Sequence, residues 1–147
     1  MPDLLTEVIS MRLPSRLELL SVLDRVADSV CERLDFDEDA RGQITMSVIE
    51  AGTNAIQHGH RKDASKPLDV EFRVHPTVLE IAVHDMGTGF NPDDVNGDVT
   101  TPDHILDQRG RGLFIMRSCM DRVEFSFDRD GTLCRLFKNR PRKADNP

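Results

Sequence analysis

The stretch Gln43-Ile44-Thr45-Met46-Ser47-Val48-Ile49-Glu50-Ala51-Gly52-Thr53-Asn54-Ala55-Ile56-Gln57-His58 decides how this chain is read. At about 100° per residue, Gln43, Ser47, Glu50, Asn54, Gln57 and His58 fall in one narrow arc of a helix. Ile44, Val48, Ala51 and Ala55 lie on one flank of that arc, and Met46, Ile49 and Ile56 on the other. A solvated face grades to apolar only at its edges, and here Arg41, Thr45 and Gly52 are expected to supply it. The polar stripe is therefore read as lining a concave site. Glu50 and Asn54, four residues apart, offer a carboxylate and an amide oxygen from adjacent turns, a pair suited to proton removal and to holding a hard cation such as Mg²⁺. Taken alone the pattern is common, and a solvated Glu beside an Asn is its usual meaning.

Working outward from this helix, the order of elements sets the fold class. Leu5 to Leu13 alternates, with Ile9, Met11 and Leu13 on one side, and Pro14 ends the strand. Ser15 is the expected N-cap of a helix over 16–34 whose face is Leu19, Leu23, Val26, Val30 and Leu34. The second helix runs from Asp37 or Glu38 to His58, with acidic residues in its first turn and Gly59 as its stop. Leu68-Val70-Phe72-Val74 and Leu79-Ile81-Val83 are predicted to pair as an antiparallel hairpin about Pro76. Residues 91–109 lack periodicity and carry five Asp with Pro92, Gly97 and Pro102, the signature of a long functional loop. Gly110 to Asp121 reads as a helix, followed by a hairpin from Val123 to Lys138 with its turn at Asp128-Arg129-Asp130-Gly131. The prediction is one α+β domain over 1–138, a two-layer sandwich whose mostly antiparallel, mixed sheet is covered by helices on one face, with a disordered tail over 139–147.

Composition narrows the function. With 19 Lys+Arg against 26 Asp+Glu, formally −7, the chain is not expected to hold nucleic acid by phosphate contacts, nor an anionic membrane. No apolar run approaches the ~20 residues of a membrane span, and no signal peptide is evident, so a cytoplasmic protein is expected. Cys31, Cys119 and Cys134 are widely separated and odd in number, which indicates neither a disulfide framework nor a zinc site. They read as reduced core residues.

Two further stretches carry chemistry. In Leu79-Glu80-Ile81-Ala82-Val83-His84-Asp85-Met86-Gly87-Thr88-Gly89, period-two counting puts Asp85 on the core side with Leu79, Ile81 and Val83. A buried carboxylate needs donors, from the protein or from a ligand, and a purine amino group would serve. Gly87 and Gly89 permit a close backbone approach to a planar ligand. In Arg109-Gly110-Arg111-Gly112-Leu113, glycines at the start of a helix suit a phosphate group, with Arg109 and Arg111 adding charge. Either stretch alone is weak, and neither a P-loop nor a G-x-G-x-x-G after a strand is present.

In this order the three features resemble the GHKL ATPase superfamily and its Bergerat nucleotide-binding fold. Glu50 to His58 looks like the N box, Asp85-Met86-Gly87-Thr88-Gly89 the G1 box, Gly110-Arg111-Gly112-Leu113 the G2 box, and Gly131-Thr132 the last turn. The size, the Glu-Ala-x-x-Asn-Ala-x-x-His form and the Gly112-Leu113-Phe114-Ile115-Met116 helix are most similar to bacterial anti-sigma-factor serine-protein kinases. The resemblance implies that ATP and Mg²⁺ bind. Asp85 would accept from the adenine amino group with Thr132 nearby, and Asn54 would coordinate the metal. Gly110 to Gly112 would cradle the phosphates, and Glu50 would be the base. His58, Gly87, Gly89, Arg109, Arg111 and Leu113 fall among its cofactor-binding positions, and the loop over 91–109 would be its lid. It also implies a sigma factor and an antagonist protein as partners, and a homodimer. Two alternatives stand beside the kinase: a nucleotide-gated switch with little transferase activity, and a histidine kinase catalytic domain, disfavoured because the 57 residues before His58 contain no His.

Overall fold

Alternating burial from Glu7 to Pro14 turns Ile9, Met11 and Leu13 toward the helices and leaves Val8, Ser10 and Arg12 exposed, as period-two patterning requires. This is strand β1. The computed structural model describes residues 6–59, 65–86, 108–128 and 131–142. After a short 3₁₀ turn at Leu17–Leu19, helices α1 (Leu20–Arg33) and α2 (Glu38–Asn54) pack against each other. The hairpin β2 (Pro67–Val74) and β3 (Val78–Asp85) follows, then α3 (Gln108–Cys119) and the hairpin β4 (Arg122–Asp128) and β5 (Gly131–Asn139). The five strands form one sheet in the order β1-β2-β3-β5-β4. All four pairings among the described residues are antiparallel, so the α+β sandwich stands without the parallel pair a mixed sheet contains.

The core is mostly aliphatic, with Phe as its only aromatic type in a chain without Trp or Tyr. Leu23, Ile44, Phe72, Ile81, Met116 and Leu136 are fully buried between the helices and the sheet. The buried face of α1 is Leu20, Leu23, Ala27, Val30 and Cys31, rotated from the expected one, so Leu19 and Val26 are only half-buried. Two small side chains, Ala27 and Cys31, allow the rotation by letting a neighbouring element approach. Ser15 is not an N-cap. Its hydroxyl donates to the Lys66 carbonyl at 2.7 Å, tying the end of β1 to the entry of β2, and the 3₁₀ turn starts at Arg16 without a side-chain cap. α2 starts where expected, with Glu38 and Asp39 beside its positive end, and the Asp37 carboxylate caps it by accepting from Ala40 N–H at 2.8 Å.

The turn between α1 and α2 is a Schellman motif, in which Asp35 N–H bonds Glu32 C=O and Phe36 N–H bonds Cys31 C=O, both at 3.1 Å. Asp35 occupies its left-handed position at φ 64°. Gly52 was expected on a solvent face, but it is buried against α1, where a Cβ would stand 2.8 Å from Leu20 Cδ2. Arg41, placed on the same face, pairs with Asp28 of α1 at 3.0 Å. That face of α2 is its α1 interface, and solvent instead meets Gly42, Gln43 and Met46. Beyond Asn54 the helix widens into a π turn, Ala55–Gly59.

β5 continues to Asn139, and Arg140 bonds the β2–β3 connection through Thr77 O and His75 O. The expectations for Gly87, Gly89, the loop up to residue 107, the turn residues 129–130 and the last five residues lie outside the described residues. So do those for the side chains of His58 and Arg109. Among the described residues no helix is long and apolar enough to cross a membrane.

Gly131 opens β5 at φ 136°, where a Cβ would fall 1.7 Å from the Asp85 carbonyl oxygen. Backbone atoms cannot yield as a flexible side chain can. Gly131→Ala is expected to cost about 2–4 kcal/mol, read as a lower urea midpoint at unchanged m-value.

Candidate functional site

The polar stripe of α2 divides by function once α3 is in place. At its N-terminal end Gln43 Oε1 accepts from Lys138 Nζ at 2.9 Å, and the same ammonium donates to the Cys119 carbonyl at 2.5 Å. Lys138 thus ties β5 to α2 and to the C-terminal end of α3. Ser47 is fully buried, and its hydroxyl donates back to the Gln43 carbonyl at 2.8 Å, which uses its one proton within the helix. The C-terminal half of the stripe, Glu50 and Asn54, faces α3 near its N-terminus. The two helices are antiparallel there, because Gly112 sits opposite Glu50 and Asn54 while Cys119 reaches Gln43 through Lys138.

Gly112 is what lets these groups meet. A Cβ at this position would lie 2.9 Å from Glu50 Oε2 and 3.4 Å from Asn54 Nδ2. As the fifth residue of α3, Gly112 lies past the four N–H groups that a helix start leaves unpaired. Its contribution is therefore close approach. Arg111, exposed beside it, and the buried Gly110 lie within the first turn, and Leu113 anchors the turn in the core.

Glu50 is half-buried, and burial pushes its carboxyl above the ordinary carboxylate range while the Arg111 charge partly draws it back. A carboxylate tuned this way is a better proton acceptor than one in water. Asn54 is 7% exposed, and its Nδ2 is buried without a partner. A buried amide nitrogen with no acceptor costs stability, so its position points to a ligand that brings one.

The second group lies where β3 meets β5. Asp85 pairs in register with Thr132, and both are buried, at 6% and 3% exposure. Asp85 keeps to the core side with Leu79, Ile81 and Val83, as period-two counting required. The Thr132 hydroxyl is a second buried polar atom without a partner. Cys134, two residues along β5, is buried beside Asp85; burial first and that charge second push its thiol up to about 12. It stays protonated at neutral pH and is no nucleophile. The π turn after Asn54 packs against β3 and β5, so both groups belong to one region. The sequence singled out Glu50, Asn54, Arg111, Gly112, Asp85 and Thr132 as candidates but gave no sign of Lys138, an ordinary lysine at a strand end.

A concavity of about 750 Å³ lies elsewhere, on the helix-free face of the sheet. Its charges pair with one another: Arg12 with Asp69 at 2.7 Å, and Arg73 with Glu71 at 3.0 Å. It lacks the unpaired buried groups found beside Gly112 and Gly131, with one exception at its margin, Arg73 Nε, which lies 3.6 Å from Glu80.

Comparison with known proteins bears on this geometry. Residues 13–138 match the family model described as histidine kinase-like ATPase domain. The chain is 31% identical over 122 residues to the Serine-protein kinase RsbW of Bacillus subtilis (strain 168), covering 80% of this chain and 76% of that one. It is 30% identical over 145 residues to the protein of the same name from Bacillus licheniformis, covering 95% and 91%. Among solved structures, the RsbU and RsbW domains of a Mycobacterium tuberculosis protein superpose with a TM-score of 0.67 at 15% identity, over 92% of this chain and 34% of that one. The histidine kinase domain of a blue-light activated kinase from Erythrobacter litoralis gives 0.52 at 17% identity, over 85% and 60%. At such identities these two structures establish a shared fold.

The raised Glu50 carboxyl has a thermodynamic consequence. As pH rises the unfolded chain gives up this proton before the folded one, so ionisation of Glu50 lowers stability through that interval. Glu50→Gln is expected to raise Tm at neutral pH, and the gain should vanish below the ordinary carboxylate range, where both side chains are neutral. Melting curves from about pH 3 to about pH 8 check this.

Proposed function

The chain belongs to the histidine kinase-like ATPase domain family, among the anti-sigma-factor serine kinases of the GHKL superfamily, and on that premise we propose that it transfers the γ-phosphate of ATP to a serine or threonine of an antagonist protein and also sequesters a sigma factor. The observation that carries the reading is the seating of the Gly112 backbone against Glu50 and Asn54, with the Asn54 amide buried and unpaired.

Asp85 and Thr132 would hold the adenine: the carboxylate accepts from its amino group, and the Thr132 hydroxyl finds in the ring the partner it lacks in the protein. The first turn of α3 would meet the phosphates with its backbone N–H groups and the positive end of the helix. Arg111 adds a charge there. Asn54 fits a shared role, its oxygen toward Mg²⁺ and its unpaired Nδ2 toward a phosphate oxygen. Mg²⁺ is commonly held by one or two protein oxygens with substrate phosphates completing its shell, and when bound it supplies charge neutralisation at the transferring group.

Glu50 would act as the base. Its carboxylate accepts the proton of the attacking hydroxyl as the new O–P bond forms and the γ-phosphate leaves ADP. The raised carboxyl favours this, since the proton acceptor then approaches the working pH. A nucleotide-gated switch would need Asp85, Thr132 and Asn54 but no such base. His58, Arg109, Gly87, Gly89 and the loop over 91–109 enter as further nucleotide contacts and a lid. A homodimer in the cytoplasm is part of the same proposal.

Calorimetry is expected to give micromolar or tighter Mg-ATP binding, weakened by about 10- to 100-fold in Asp85→Asn, where an acceptor is replaced by an amide. Indistinguishable wild-type and variant isotherms would overturn the adenine assignment. With radiolabelled ATP and the purified antagonist, Glu50→Ala is expected to keep nucleotide affinity and lose about 10²- to 10⁴-fold in transfer rate. Equal rates would leave the switch as the better reading.

A further inference from the structure

Period-two patterning puts Glu71, Arg73, Glu80, Ala82, Leu133 and Arg135 on the helix-free face of the sheet, where charged side chains normally stand in water. Glu80 departs from that rule and is 8% exposed. Its neighbours surround it without saturating it. His75 Nε2 meets Glu80 Oε1 at 2.8 Å, whereas Arg73 Nε stops 3.6 Å from Oε1 and Arg135 Nε 3.7 Å from Oε2. Both arginine distances exceed a hydrogen bond. Among the described residues, then, Glu80 Oε2 accepts no hydrogen bond, Arg135 donates none, and Arg73 Nε is buried without a partner.

The strand register sets this gap beside a hollow. Arg73 pairs with Glu80 and Glu71 with Ala82 across β2 and β3, and Ala82 pairs with Arg135 across β3 and β5. Glu80 and Arg135 are therefore diagonal neighbours around a short side chain. The concavity of about 750 Å³ opens there, floored by Ala82 and Leu133 and walled by Glu71, Arg73, His84 and Arg135. Its size is usual for a small-molecule site. A donor and an acceptor stand side by side at its rim, too far apart to satisfy each other, over an apolar floor.

We propose that this hollow binds a free aliphatic α-amino acid. Its carboxylate takes the Arg135 guanidinium, its ammonium takes Glu80 Oε2, and its side chain covers Ala82 and Leu133. The two charged ends of an α-amino acid sit on one carbon, which matches a donor and an acceptor 3.7 Å apart. A simple carboxylate would meet the Glu80 charge uncompensated, and a simple amine would meet the two arginines. These residues belong to β2, β3 and β5 and face away from Glu50, Asn54 and Asp85, so the inference is independent of the kinase reading.

The probe is L-leucine, with isocaproate, which lacks the ammonium, and isoamylamine, which lacks the carboxylate, as controls. In methyl NMR spectra of the full chain, L-leucine is expected to give saturable shifts at Ala82 and Leu133 at millimolar concentration, and both controls to bind at least about tenfold more weakly. Arg135→Gln, at an exposed position, should weaken L-leucine binding by about tenfold while Tm and ATP affinity stay unchanged. Ala82→Leu, which fills the hollow, should abolish the shifts at Leu133. Absence of saturable shifts, a control that binds as tightly as L-leucine, or Arg135→Gln binding as wild type would each overturn the proposal. Wild-type affinity in Ala82→Leu would place the ligand elsewhere and overturn it as well.

Discussion

The contact on which the site depends is the one an absent side chain allows. Gly112 brings the backbone of α3 so near the Glu50 and Asn54 side chains that an added Cβ would lie 2.9 Å from Glu50 Oε2. The close fit half-buries Glu50, raising its carboxyl, and strands the Asn54 nitrogen. It also holds the first turn of α3, with Gly110 and Arg111, at the edge of the same space. Without that approach α2 would carry an ordinary polar stripe, and the helix start would have nothing to face.

Three groups at the site work against folding. Glu50 ionises in a half-buried setting, and Asn54 and Thr132 bury polar atoms without partners. Elsewhere Ser47 bonds back to Gln43, Ser15 to Lys66, and Glu80 to His75 at 2.8 Å, while Arg73 Nε and His75 Nδ1 are also buried without a partner. The unmet polar groups of Asn54 on α2 and Thr132 on β5 suit a ligand that completes them, because its binding then relieves a cost already present in the folded chain.

Much of this was legible in the sequence. The antiparallel hairpins followed from period-two alternation over Leu68–Val74 and Leu79–Val83, and the burial of Asp85 from the same counting. What failed were faces that depend on tertiary approach. Gly52, Arg41 and Thr45 looked like the solvent side of α2 because nothing local shows that a second helix will lie against a glycine. Leu19 and Val26 were read as core because an apolar residue at helical spacing does not reveal whether small neighbours, here Ala27 and Cys31, will turn the helix. Ser15 looked like a cap because its chemistry is right, and only the return of the chain at Lys66 shows where its hydroxyl goes. Lys138 was invisible for the same reason, since its two partners lie 95 and 19 residues away.

The Lys138 clamp makes α3 a lever. It is pinned at Cys119, and Gly110 lies nine residues toward the other end, about 13 Å away at the usual rise. A tilt of about 5° about the pin moves the Gly110 end by about 1 Å, a displacement large enough to matter between reacting groups. Lys138 thus joins the buried Leu113 and Met116 in setting the orientation of the helix, from the end farther from Glu50. Evolution can retune this chemistry by changing how firmly that distant fulcrum is held, without touching a residue beside the reacting atoms.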